Sequence, residues 1–221
     1  MALRILITGG PTRAYLDKVR FLSNVSTGGL AYSLAKYLKR HRVEISMIVG
    51  PSAFDFEGLK LKRLTRIETT DEMRDAVMKE CRRFRPHFAV FSAAVLDFTP
   101  AKIVPGKVSS KKSSWIVRMK PTPKIIDEVG KRFPKIKRVG FKLEAISLRG
   151  KALEKFGRKI LIAKNLDALC ANFLPEVGEK SHRAYLFSSD GAMCSFRTKS
   201  EIAAGISRYL LLSEPITNIR Q

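Results

Sequence analysis

Two hydrophobic rhythms alternate along this chain. Leu3-Arg4-Ile5-Leu6-Ile7 is an apolar run of the buried-strand kind, broken at Gly9-Gly10-Pro11. Ala31–Arg40 changes to helical spacing, with Leu34, Ala35 and Leu38 on one face. Val43–Val49 returns to the strand pattern and is closed by Gly50-Pro51. A short third strand is expected within Leu61–Thr65 or Arg66–Thr69. Thr70-Asp71 has N-cap chemistry for a helix over Asp71–Phe84, whose Met73, Val77 and Cys81 share a face and which must end before Pro86. His87–Ser92 is nearly all apolar, as strands covered on both faces of a parallel sheet are. This β-α-β-β-α-β order predicts an α/β fold, a doubly wound, mostly parallel Rossmann-like sheet with helices on both faces.

The rhythm lapses at Pro100. Residues 100–115 are rich in Pro, Gly, Ser and Lys, which suits either a solvated loop or a flexible lid carrying Lys107 onto a phosphate. Trp115–Met119 then alternates like a strand, and Thr122–Arg132 is expected as a helix from Pro123. Lys137–Phe141 is expected as a strand, Lys151–Ile162 as a helix, and Asp167–Ala171 as a strand ending at Asn172. Arg183–Phe187 and Met193–Phe196 predict a C-terminal β-hairpin across Ser188-Ser189-Asp190-Gly191. Thr198 is placed to cap a last helix over Lys199–Leu212. No repeat or linker divides the 221 residues, so one domain over 1–221 with a lid at about 100–115 is expected.

Charge changes this picture more than composition does. A net charge of +22 suits nucleic acid, phosphate-bearing ligands or a general adaptation of the source organism's proteins, and charge alone does not choose among them. Lys and Arg are scattered along the whole chain without interleaved aromatic residues, which argues against nucleic acid. No apolar stretch approaches the roughly 20 residues that span a bilayer. Cys81, Cys170 and Cys194 lie far apart with no CxxC, so a reducing cytoplasm is expected, without a disulfide framework or a zinc site.

Candidate chemistry gathers where strands end. Gly9, Gly10, Ser26, Thr27 and Gly28 lie between the first strand and the first helix, the place where open α/β sheets bind nucleotides. Asn24, in the same loop, suits either a turn or a hydrogen bond to a reacting carbonyl oxygen. Asp97 follows the His87–Ser92 strand and suits either a cap or a ligand contact. Phe141 and Lys142 end another strand at that edge, Phe141 as a shelf for a base or as core. A nicotinamide oxidoreductase would need an acid just after the second strand, and Val49-Gly50-Pro51-Ser52 offers none before Asp55.

Six ordered motifs carry a family resemblance. They are Thr8–Thr12, Val19–Gly28, Ser92–Phe98, Gly106–Ser110, Gly140–Glu144 and Lys164–Asn172. Together they resemble phosphopantothenoylcysteine synthetase, the phosphopantothenate–cysteine ligase of coenzyme A biosynthesis, in its free-standing form. That resemblance implies activation of the phosphopantothenate carboxylate by CTP or ATP with Mg²⁺, then attack by the cysteine amine. It implies a role for Asn24 at the activated carboxyl group and for Lys107 as the lid lysine. Ala93, Ala94 and Asp97 would hold phosphopantothenate, with Arg20 reaching in from the second subunit of a homodimer with a shared site. Ser26, Gly28, Phe141 and Asn172 would contact the nucleotide, and Gly9, Gly10, Lys142 and Lys164 are grouped with them. Three departures stand out: Ala31 where glycine is usual, Gly29 where a larger residue is, and Phe173 where Asp is. The resemblance implies that Ala31 tightens contact with the triphosphate.

Overall fold

In the computed structural model, which describes residues 2–178 and 181–213, the chain enters the middle of a sheet at once. Strand β1 (Leu3–Gly9) is followed by a small hairpin, β2 (Arg13–Tyr15) and β3 (Phe21–Ser23), and then by helix α1 (Gly29–Leu38). Next come β4 (Val43–Val49), β5 (Arg63–Arg66), α2 (Thr70–Phe84) and β6 (Phe88–Phe91). A second small pair, β7 (Phe98–Pro100) and β8 (Met119–Pro121), precedes α3 (Ile125–Arg132) and β9 (Lys137–Glu144). The chain continues through α4 (Gly150–Lys164), β10 (Ala168–Val177), β11 (His182–Ser188), β12 (Met193–Phe196) and α5 (Lys199–Leu212).

Eight strands form one sheet in the order β12-β11-β10-β9-β6-β1-β4-β5. The pairings from β5 across to β10 are parallel, and β11 and β12 add antiparallel partners at the far edge. Strand β1 can lie centrally because its side chains are apolar on both faces. Ile5 and Ile7 pack with Leu34 and Ala35 of α1 and Ile202 and Ile206 of α5. Leu6 faces the other way, into Met73 and Val77 of α2 and Val129 of α3. Helix α4 covers that second face over Leu169 and Ala171 of β10. Winding reverses beside β1, so β1 and β6 release their exit loops side by side. That is the crevice position of a doubly wound sheet.

The hairpin of β11 and β12 and helix α5 lie where periodicity placed them. The third strand spans Arg63–Arg66, across the two windows expected for it. Helix α2 is capped by Thr69, one residue earlier than expected, because Thr69 and Glu72 form a reciprocal capping box. Trp115–Ile116 alternate with polar neighbours yet find no strand partner, and pairing begins only at Met119. Strand β10 runs on to Val177 through an irregularity after Asn172, since β11 offers it a partner. The hairpin of β2 and β3 has no counterpart in the periodicity, being three residues a side with β3 wholly exposed. No helix of the described residues is long and apolar enough to cross a membrane.

Candidate functional site

The loops leaving β1 and β6 are stitched together. The Ala94 N–H donates to the Gly10 carbonyl at 2.9 Å, and the Thr12 N–H returns to the Ala94 carbonyl at 3.3 Å. Thr12, fully buried, accepts the Leu96 N–H at 3.0 Å and sits 3.0 Å from the Thr70 hydroxyl that opens α2. Asn24 joins the same seam from β3. Its Nδ2 donates to the carbonyls of Ala94 and Val95, both at 3.2 Å. The carboxamide therefore lies on the Ala93–Asp97 segment with its N–H groups engaged.

Gly28 closes this loop in a left-handed conformation (φ 77°) and caps α1 without any side-chain hydrogen bond. A methyl group there would lie 3.0 Å from Ser52 Oγ and 3.3 Å from the Gly10 nitrogen, besides being strained by φ. The cap residue itself offers no side chain, and the first N–H of the ten-residue α1, that of Gly29, donates to Thr27 Oγ1 at 3.3 Å. An open cleft of about 900 Å³ lies beside it, lined by Arg13, Ser26, Thr27, Ser52, Arg66 and Glu68 among others. Its two guanidinium groups have carboxylate partners: Arg13 with Glu68 at 3.2 Å and Arg66 with Glu57 at 2.6 Å.

The segment expected as a lid is fastened at its middle. Val104 N–H donates to Leu16 O at 3.0 Å, and Lys18 N–H donates to Gly106 O at 3.0 Å. Val108 N–H donates to Asp17 Oδ2 at 3.0 Å, and Arg20 Nη1 donates to Val108 O at 3.2 Å. Lys107 lies between these ties with its side chain exposed. Arg20 also pairs with Asp17 at 2.9 Å, and its guanidinium carbon stands 5.5 Å from the centre of the Trp115 ring. Burial pushes the Asp17 carboxyl up, but N–H donors from Val108, Val19 and Arg20, with the Arg20 charge, hold it below the usual carboxylate range.

A family model described as the DNA/pantothenate metabolism flavoprotein C-terminal domain matches residues 1–212. The chain belongs to that family. Among curated relatives, the coenzyme A biosynthesis bifunctional protein CoaBC of Bacillus subtilis is 32% identical over 168 residues, covering 76% of this chain and 39% of that protein. The CoaBC of Thermococcus kodakarensis is 30% identical over 201 residues, covering 90% of this chain and 49% of that protein. The chain thus spans about half the length, or less, of these two relatives. The crystal structure of the DNA/pantothenate metabolism flavoprotein from Streptococcus pneumoniae superposes with a TM-score of 0.81 at 25% identity, covering 96% of this chain and 100% of that one. A Cab2 mutant in complex with phosphopantothenate-cysteine shares the fold at a TM-score of 0.66 and 17% identity.

Measured against the positions the family motifs supply, most of the expected residues meet at one edge. Gly9, Gly10, Asn24, Ser26, Gly28, Ala93, Ala94 and Asp97 all lie on the exit loops of β1 and β6 or at the strand end feeding them. Asp97 forms a short ion pair with Lys124, whose sequence neighbourhood gave no sign of the contact. Phe141, Lys142 and Asn172 stand in adjacent register on β9 and β10, next to the end of β6. Phe141 is half-buried against the α1 and α5 side, and Lys142 pairs with Glu144 at 3.2 Å. Asn172 Nδ2 meets His182 Nε2 at 3.3 Å, so His182 is part of this edge. Burial, then the charge of Lys199, lowers the His182 pKa.

Lys164 is left apart. It ends α4 on the side where β10 begins and pairs with Asp127 at 2.6 Å, at the edge of the sheet opposite the crevice. Ala31, implied to tighten contact with the triphosphate, is buried instead and turns its methyl toward Gly9. Phe173 is fully buried and packs its ring against Phe156 and Tyr185, so the departure at that position is absorbed by the core. Asp55 accepts the Gly58 N–H at 3.0 Å within its own turn. Burial pushes the Cys81 and Cys170 thiols up to about 12, so neither is a nucleophile. Asp17, just outside the Val19–Gly28 motif, carried one usable sign: it precedes Arg20 by a turn's length, in the pattern of a side chain that closes on its own backbone.

Proposed function

We propose that this chain joins 4′-phosphopantothenate to L-cysteine with a nucleoside triphosphate, CTP or ATP, through an acyl-nucleotidylate. The phosphopantothenate carboxylate attacks the α-phosphorus and expels pyrophosphate. The cysteine amine then attacks the acyl carbon and expels the nucleoside monophosphate. The observation that carries this is the contact of Asn24 with Ala94 and Val95, which unites a carboxamide, a glycine-bearing helix start and the Ala93–Asp97 segment.

Both reacting partners are anions, so attack needs fixed positive charge and N–H donors. Ser26, Thr27 and the first turn of α1 would receive phosphate oxygens, with the Gly29 N–H exchanging Thr27 for the ligand and Gly9, Gly10 and Gly28 permitting close approach. Lys107 would neutralise charge that develops on the pyrophosphate side. Ala93, Ala94 and Asp97 would hold phosphopantothenate, while Phe141, Lys142 and Asn172 would meet the nucleoside. Asn24 would exchange one of its carbonyl contacts for the acyl oxygen. Mg²⁺ would enter on the triphosphate, since it keeps several waters and binds through substrate phosphates. Among the described residues no group of three His, Cys, Asp or Glu forms a cage for it.

The test is pyrophosphate release with CTP and ATP in parallel, each with and without phosphopantothenate and cysteine. Release should require phosphopantothenate and a preferred nucleotide. Asn24→Asp sets a carboxylate against two carbonyls, and Lys107→Gln removes the cation; each should slow turnover by about 100-fold. Unchanged rates in both variants would remove these residues from the reaction.

A further inference from the structure

The side chain of Asp17 is completely buried, yet no part of the proposed chemistry uses it. Resting on the ligase proposal, we infer that Asp17 is a positioning residue: its carboxylate locks the arm bearing Lys107 to the hairpin turn bearing Arg20, and so sets where the lysine stands.

Oδ1 accepts the N–H groups of Val19 and Arg20 at 2.9 and 2.8 Å, the ordinary work of an aspartate closing its own turn. Oδ2 does something a turn does not need. It accepts the Val108 N–H at 3.0 Å, 91 residues away, and Arg20 Nη1 at 2.9 Å. Arg20 in turn donates to the Val108 carbonyl at 3.2 Å. Both polar atoms of Val108 are thereby held by one Asp–Arg pair. On the other side of Lys107, the Gly106 carbonyl is held by the Lys18 N–H. The lysine's backbone is thus gripped from both flanks while its side chain stays free to reach an anion. Four donors converge on Asp17, and a carboxylate accepts on both oxygens whereas a carboxamide accepts on one. Asp17→Asn would therefore turn an NH₂ toward Val108 N–H and Arg20, with little change in volume.

The measurements are single-turnover pyrophosphate release and amide hydrogen exchange on the whole protein. Asp17→Asn should slow the nucleotidylation step about tenfold or more, because small displacements of a reacting group are expensive. The KM for the nucleotide should stay within about threefold, because ground-state contacts are kept. A merely structural aspartate would not reproduce the next outcome. In a Lys107→Gln background, Asp17→Asn should slow the reaction by less than about threefold further, since the two substitutions remove one function. Exchange at Val108 should quicken in Asp17→Asn while amides of β1 and β6 remain protected. Additive losses in the double variant, or unchanged exchange at Val108, would overturn the proposal. If the wild type releases no pyrophosphate but Val108 exchange still depends on Asp17, the ligase proposal fails and the anchor survives.

Discussion

At Gly9 the last residue of β1 passes under the first turn of α1 with no room to spare. A Cβ on Gly9 would stand 2.5 Å from the Ala31 Cβ, a contact that real structures do not tolerate. Replacing a strand glycine by alanine ordinarily gains about 0.5–1 kcal/mol. Here overpacking, at about 1–3 kcal/mol, outweighs that gain. Gly9→Ala should therefore lower the melting temperature. Ala31→Gly in the same chain should recover part of the loss by removing the facing methyl, so the double variant should be less destabilised than the sum of the singles. Thermal melts of the three variants measure this, and strict additivity would mean that the two positions do not meet. The Ala31 departure thus acts through helix–sheet spacing and reaches the crevice only by way of where α1 starts.

At the scale of elements, the edge strand β5 is secured by helix α2 through a buried carboxylate. Glu80 accepts from Ser46 on β4 at 2.8 Å, pairs with Arg63 on β5 at 2.8 Å, and pairs with Arg83 in its own helix at 2.6 Å. Burial pushes the Glu80 carboxyl up, but the hydrogen bonds from Arg63, Ser46 and Arg83 outweigh it and hold it below its ordinary value of 4.5. A group lowered in the folded state stabilises the fold above its unfolded pKa and ceases to as pH falls toward the folded one. Stability should accordingly decline as pH drops below about 4.5. Glu80→Gln should be less stable at neutral pH, by about 1–3 kcal/mol, and should show a shallower acid decline in denaturant titrations. A helix heptad shows Glu80 as one more polar position. Only the packing of α2 on β4 and β5 reveals it as buried.

Across the whole molecule, the hairpin of β2 and β3 and the arm of β7 and β8 lie against each other and carry exposed apolar side chains. Val19, Phe21 and Leu22 stand on the first with Val25 just beyond it, and Phe98, Ile103 and Ile116 on or beside the second. Such a concentration on two neighbouring arms suits a self-complementary interface, as the homodimer implied by the family resemblance requires. Sedimentation equilibrium should give twice the 24.8 kDa mass of one chain. Leu22→Asp combined with Phe98→Asp should give the single-chain mass with the sheet intact by circular dichroism. A wild type that sediments as a single chain at all concentrations would exclude a shared site.

Amino-acid order alone determined the sheet's long strands, the helices between them, the last hairpin and the glycine-bearing loop after β1. Those features arise from local alternation of apolar and polar residues and from turn chemistry, which neighbouring residues decide together. Short pieces escaped it. Strands β2, β3, β7 and β8 are three residues each and exist because distant segments pair with them. The same holds for the candidate site. Asn24 was visible as a polar residue in the loop after β1 and Asp97 as one after β6, whereas Asp17 and Lys124 acquired their contacts only when segments far apart in sequence were folded against one another, and His182 met Asn172 only when β11 paired with β10. Lys164, within a motif that otherwise reaches the crevice, was carried to the opposite edge because α4 must run back along the sheet before β10 can begin. A chain's periodicity records which face each residue turns to the core; which distant partner waits there is settled by how the layers pack.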